Sequence, residues 1–159
     1  MQIAVITVGK LKEKYWKEAL AEYTKRLSGY VNLDLHEVPD EPVPDTSSVA
    51  DVERIVRAEG GRISKLLRDR DGIVALDLAG KALTSEAWAQ EYGKLESAGY
   101  GRLVFVVGGS HGLSLDILQR AVLRWSFGPI TLPHQLARVV LLEQLYRGIR
   151  ILRGEPYHK

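Results

Sequence analysis

Short apolar, β-branched runs alternate along the chain with longer segments whose apolar positions recur every three or four residues. The runs at 3–8, 31–38, 72–77, 102–107 and 125–132 predict strands. The segments 12–28, 49–68, 85–98 and 115–123 predict helices, and a last helix follows Pro133. Strand and helix alternating five times implies one α/β domain over residues 1–159, with a mostly parallel sheet of five to six strands and helices on both faces. The only linker-like stretch, 39–48, holds three prolines among acidic residues, and Ser48 followed by Asp51 reads as the capping pair of the next helix. From 135 to 152, Leu136, Val139, Val140, Leu141, Leu142, Leu145, Tyr146 and Ile149 leave only a narrow polar stripe. A helix apolar on most sides needs cover on most sides, which a small sheet does not supply, so an obligate homodimer through this helix is expected.

Composition narrows the chemistry. At 159 residues and 45% hydrophobic, the chain can bury a core without covalent staples. The absence of cysteine removes disulfides, iron–sulfur clusters and cysteine catalysis. The start, MQIAVITVGK, has neither a basic lead nor a cleavage site and reads as a buried strand rather than a signal peptide. No apolar run approaches a membrane span, so a cytoplasmic protein with no membrane partner is expected. The four histidines show no i,i+4 pairing and no HExxH context, so no metal is expected. The net charge of +2 is too small to argue for nucleic acid, but its distribution is uneven. Residues 34–53 carry seven acids and no Lys or Arg; residues 120–159 carry seven basic residues against Glu143 and Glu155. The C-terminal quarter is thus either a face for an anionic partner or a solvated basic surface.

In an open α/β sheet, ligands bind beyond the carboxyl ends of the strands, which directs attention to the strand-to-helix turns. The first, VGKLKEKY, lacks both the P-loop spacing and GxGxxG. The second, LVFVVGGSHGLS, carries Gly108, Gly109 and Gly112, which let a ligand approach bare backbone. It also satisfies GxSxG at Ser110, the nucleophile elbow of serine hydrolases. Ser114, however, reads as the helix N-cap, which leaves Ser110 in a loop rather than at the strand–helix corner, and no oxyanion-type HGGG segment is present. A ligand loop lined by backbone is the better reading, with a purely structural glycine turn beside it.

The third stretch, SFGPITLPHQLARVVLLEQLYRGIRILRGEPYHK, joins LDLAGK at 76–81 and FVVGGSHGLS at 105–114 in a pattern that resembles the SPOUT superfamily of methyltransferases. Within it, the chain resembles the RlmH type, which methylates N3 of a pseudouridine in large-subunit (23S) ribosomal RNA. The resemblance covers essentially the whole chain, though 40–70 carries no motif. It implies a C-terminal trefoil knot, S-adenosylmethionine as cofactor, a homodimer, and assembled ribosomes as the rRNA partner. It carries cofactor contacts onto Leu76, Gly108, Phe127, Gly128, Pro129, Ile130, Thr131 and Leu132. Those residue types suit a nucleoside ligand, since Leu76, Ile130 and Leu132 can wall an adenine slot while glycines admit main-chain contacts.

The resemblance also points to Arg147, Tyr157 and His158 as catalytic, with Arg147 holding a carbonyl or phosphate of the RNA and His158 the better proton acceptor. Each has a plainer reading. Arg147 lies four residues after Glu143 and could be its helical ion-pair partner, and 157–159 could be a frayed end. Arg138, Arg150 and Arg153 read as general phosphate contacts, and His134 as a residue that starts the last helix or packs there. Two other classes stay open: a ribosome- or RNA-binding factor without catalysis, which has no need of the glycine loop, and a small serine hydrolase, which needs Ser110.

Overall fold

The structure is a computed structural model and describes residues 1–44 and 48–157. Five strands, β1 (Gln2–Val8), β2 (Asn32–Val38), β3 (Asp71–Ala82), β4 (Arg102–Val107) and β5 (Leu123–Ser126), form one sheet in the order β2-β1-β4-β3-β5. Every neighbouring pair is parallel. Parallel neighbours need crossover connections, which α1 (Lys14–Leu27), α2 (Val49–Ser64), α3 (Ser85–Ser97) and α4 (Leu115–Arg120) provide; α5 (His134–Leu152) follows the last strand.

Strand parity divides the core. Ile3, Val5, Leu103, Phe105 and Val107 face α1, α3 and α5, where they pack with Leu27, Trp88, Tyr92, Leu141 and Leu145. Ala4, Ile6, Val8, Val104 and Val106 face the other side and meet Ile63 of α2 and Ile117 of α4. The central strands are therefore buried on both faces, as unbroken apolar runs in a parallel sheet require. The α/β class with helices on both faces is observed, with five strands, all parallel.

Element ends differ from the periodicity by three residues or more at four places. β5 stops at Ser126, and 127–132 is a loop, because Gly128 turns at φ +107° and Pro129 follows. α4 ends at Arg120, where Ala121 turns to extended backbone. α2 ends at Ser64, four residues early. β3 runs on to Ala82 through a bulge: both Leu76 and Lys81 face Trp125 of β5, and the residues between them are pushed out of the ladder. The expected capping pair is present, with the Ser48 hydroxyl accepting from Asp51 N–H and the Asp51 carboxylate from Ser48 N–H, each at 3.1 Å.

α5 packs against both α1 and α3. Together with the sheet they bury Leu141, Leu142, Leu145 and Ile149 completely, so much of the cover that the apolar helix demands comes from its own chain. Leu136, Val139, Val140 and Tyr146 remain partly exposed. Among the described residues, no helix is long and apolar enough to cross a membrane.

Candidate functional site

The carboxyl ends of β3, β4 and β5 open into a cleft of about 600 Å³, a volume suited to a nucleoside-sized ligand. Three loops and one helix start build it. The β3 bulge contributes Leu76, Asp77 and Leu78; the loop after β4 contributes residues 108–113; the loop after β5 contributes Phe127, Ile130, Thr131 and Leu132; and α5 adds His134 and Ala137. Six of the eight residues expected to hold a cofactor thus meet around one space. Gly128 and Pro129 lie in the same loop but do not line the cleft; they turn the chain so that its neighbours can.

The motif glycines have local causes. A Cβ at Gly80 would lie 2.6 Å from the Arg124 carbonyl oxygen, so the bulge closes against β5 only with glycine there. Asp77 accepts from Ala79 N–H at 3.1 Å and steadies the same bulge. A Cβ at Gly108 would lie 2.7 Å from the backbone of Gly112. The expectation that bare backbone at 108 serves ligand approach is therefore sharpened: the loop folds back on itself there, Gly112 N–H bonds to the Gly109 carbonyl at 3.1 Å, and Gly112 turns at φ +82°. Ser110 sits on the exposed tip of this turn, with Ser114 capping α4 by accepting from Ile117 N–H. That is not the strand-to-helix corner that a serine elbow requires.

The cleft is mostly apolar, with Leu76, Val107, Trp125, Phe127 and Leu132 on its walls and the exposed Ile130 at its mouth. Asp77 is the only carboxylate among the described residues that line it. His134 starts α5 as expected, yet it also faces the cleft; burial, with Arg138 nearby, holds its imidazole below the usual histidine range and therefore neutral. Asp77, Trp125 and Ala137 are lining residues that sequence reasoning did not single out, and His134 was read only as a residue that starts the last helix or packs there. Only Asp77, inside LDLAGK, carried a signal.

The expected catalytic residues lie elsewhere. Arg147 donates to Glu143 at 2.7 Å, and its guanidinium stands 4.6 Å from the centre of the Tyr157 ring. The Tyr157 hydroxyl donates to the other Glu143 oxygen at 2.6 Å, and its ring meets Tyr146 edge-on. Burial and Glu143 push the phenol up to about 12. The ion-pair partner foreseen for Arg147 is present, and Tyr157 is anchored on α5. Arg147 follows Ala137, the last α5 residue to line the cleft, by ten residues on one helix, roughly 15 Å along its axis at 1.5 Å per residue. His158 lies outside the described residues.

Arg138 corrects an expectation. It is 3% exposed, donating to Glu37 at 2.9 Å and to the carbonyls of Val8 and Gly9 at 2.8 Å. It ties α5 to the end of β1 and is no phosphate contact. Arg150 is held by Tyr30, Glu155 and the Pro156 carbonyl.

An all-parallel sheet with a deep cleft built from the bulge, the glycine loop and the loop before the last helix defines a ligand-binding α/β protein. A family model described as "Predicted SPOUT methyltransferase" matches residues 1–158. The chain belongs to the SPOUT methyltransferase family, whose members transfer a methyl group from S-adenosylmethionine. The cleft fits that cofactor: it has apolar walls for adenine, hydroxyls at Ser110, Ser126 and Thr131, and one carboxylate to face a ligand that carries positive charge.

Proposed function

We propose that this chain methylates N3 of a pseudouridine in 23S rRNA of the large subunit, acting on assembled ribosomal particles in the cytoplasm as a homodimer with the knotted C-terminal fold. The observation that carries the reading is the convergence of Leu76, Gly108, Phe127, Ile130, Thr131 and Leu132 on one cleft. These are the positions onto which the RlmH resemblance carries its cofactor contacts.

The cofactor supplies an electrophilic methyl on a sulfonium; the chain's own groups position the acceptor and take its proton. The cleft excludes water with Trp125, Phe127 and Leu132 and sets Asp77 against positive charge. Arg147 holds a carbonyl or phosphate of the RNA. Tyr157, whose phenol stays protonated at neutral pH, donates a hydrogen bond to the acceptor base. His158 accepts the N3 proton. Because Arg147 stands roughly 15 Å along α5 from the cleft and Tyr157 is turned onto Glu143 beside it, one chain does not bring these groups into the cleft. The homodimer then has a stated role: the tail of one protomer completes the cleft of its partner. The half-covered Leu136, Val139 and Val140 on α5 offer a surface for that pairing.

The test is transfer of labelled methyl from S-adenosylmethionine to assembled ribosomal particles and to naked 23S rRNA, with the product nucleoside mapped by mass spectrometry. With a net charge of only +2 and its basic excess confined to the C-terminal quarter, shape must supply the recognition, so particles should be methylated far faster than naked RNA. Equal rates would remove the assembled particle from the proposal, and a product other than N3-methylpseudouridine would remove the substrate assignment.

A further inference from the structure

The segment 40–70 carries no family motif, yet α2 grips the glycine loop from behind at two successive residues. A Cβ at Gly60 would lie 2.6 Å from the Ser114 hydroxyl, so α2 rests directly on the N-cap of α4. Glu59, only 4% exposed, presses its carboxyl against Gly109, where a Cβ would lie 3.2 Å from Oε1. Its Oε2 accepts from Glu41 N–H at 2.9 Å. Its Oε1 is buried and meets no partner among the described residues, and the same holds for His111 Nε2 and His134 Nδ1. All three side chains border one small cavity of about 30 Å³, together with Asp40, Glu41 and Ser110. That volume takes one water, and one water can satisfy three or four polar atoms.

We propose that Glu59 is a positioning residue for the cofactor cleft, its carboxyl joined through a single buried water to His111 and His134. Both histidines also line the cleft, so the relay sets the glycine loop and the start of α5 relative to each other. An acid in a helix would otherwise turn to solvent; an unpaired buried carboxylate is expensive. The groups facing it are Asp40 and Glu41 from the β2–α2 connection, Arg62 on α2 itself, His111 from the glycine loop and His134 from α5. Arg62 is turned to Glu41 at 3.1 Å and to the Pro39 carbonyl. Burial, reinforced by Asp40, raises the Glu59 carboxyl above the usual carboxylate range, so the native state favours its neutral form. Stability and loop order from this group are thus fully present at acid pH and decline as pH rises through its raised titration. This inference rests on the cleft being the cofactor site.

The experiment uses the full chain with Glu59→Gln and Glu59→Leu. Gln keeps an acceptor for Glu41 N–H and a polar group for the water; Leu keeps the bulk alone. S-adenosylmethionine affinity is measured by calorimetry between pH 5 and pH 8. Imidazole ¹⁵N resonances of His111 and His134 are followed in the cofactor-free protein. Gln is expected to change the pH dependence of affinity from that of wild type while staying within a few-fold, and Leu to lose about tenfold, the worth of one or two hydrogen bonds. Both histidine signals should move in each variant. Affinities and slopes equal to wild type in both variants, or unmoved histidine signals, would overturn the relay. Moved histidine signals with no cofactor binding in any form, wild type included, would leave the relay standing and remove the cofactor reading.

Discussion

The two ends of α5 are built in opposite ways. At its start, around His134, the chain is shaped by missing side chains and leaves polar atoms unpaired: Gly80 and Gly108 admit close backbone approach, and His111 and His134 each keep a buried nitrogen without a partner among the described residues. At its end, Arg147, Glu143, Tyr157, Tyr146, Arg150, Glu155 and Tyr30 are joined by ion pairs, hydrogen bonds and ring contacts. A region that leaves polar capacity unused is prepared for a ligand; at the other end most of that capacity is spent internally, although the buried Arg150 Nε also meets no partner among the described residues. The cleft is preformed in one chain, whereas a tail that reached RNA would first have to exchange these partners.

The largest effect should come from Gly108→Val. Its side chain would overlap the backbone of Gly112, so the glycine loop cannot close. Overpacking of this kind costs about 1–3 kcal/mol, and cofactor binding should vanish in a calorimetric titration while the sheet still melts cooperatively. Retained binding would show that the loop does not shape the cleft.

His158→Ala should leave folding and cofactor affinity unchanged and lower methyl transfer by on the order of 100-fold, the contribution of a positioned base. A rate within a few-fold of wild type, at saturating cofactor and ribosome, would remove the tail's base and leave Arg147 as the remaining candidate.

Tyr157→Phe removes the hydrogen bond to Glu143 and the longer one accepted from Arg26, and should cost about 1 kcal/mol in thermal or chemical melting, with cofactor affinity unaltered. A large drop in affinity would mean that the two ends of α5 are coupled. The smallest effect is spectroscopic. In an ultraviolet titration the Tyr157 phenol should stay protonated until pH reaches about 12, because burial and Glu143 both oppose its ionisation. Ionisation near the ordinary tyrosine value would show that the tail is loose in solution.

The strands were legible because a parallel sheet buried on both faces writes itself as unbroken β-branched runs; 102–107 coincides with β4. The loop after β5 misled because Ile130, Thr131 and Leu132 have strand propensity, while the positive φ at Gly128 depends on the fold. The β3 bulge was invisible for the same reason: which side of a strand is expelled depends on its neighbour. Glu59 and Arg138 were illegible in another way. Charged residues on helices read as solvent-facing, and only the folded chain brings Gly109 against one and the Val8 and Gly9 carbonyls against the other. The resemblance pointed to candidate cofactor positions, but it could not show that Arg147 and Tyr157 gather on Glu143, further along α5 than the cleft.

That separation makes the division of the site between two protomers the central claim, and mixing two inactive variants tests it most directly. Ile130→Arg sets a cation in the exposed mouth of the cleft against a positively charged cofactor, and His158→Ala removes the base from the tail. If cleft and tail come from different protomers, each mixed dimer has one intact site, and random exchange should restore about a quarter of wild-type methyl transfer. No recovery from a mixture shown to contain mixed dimers would contradict the account and place cleft and tail in the same chain.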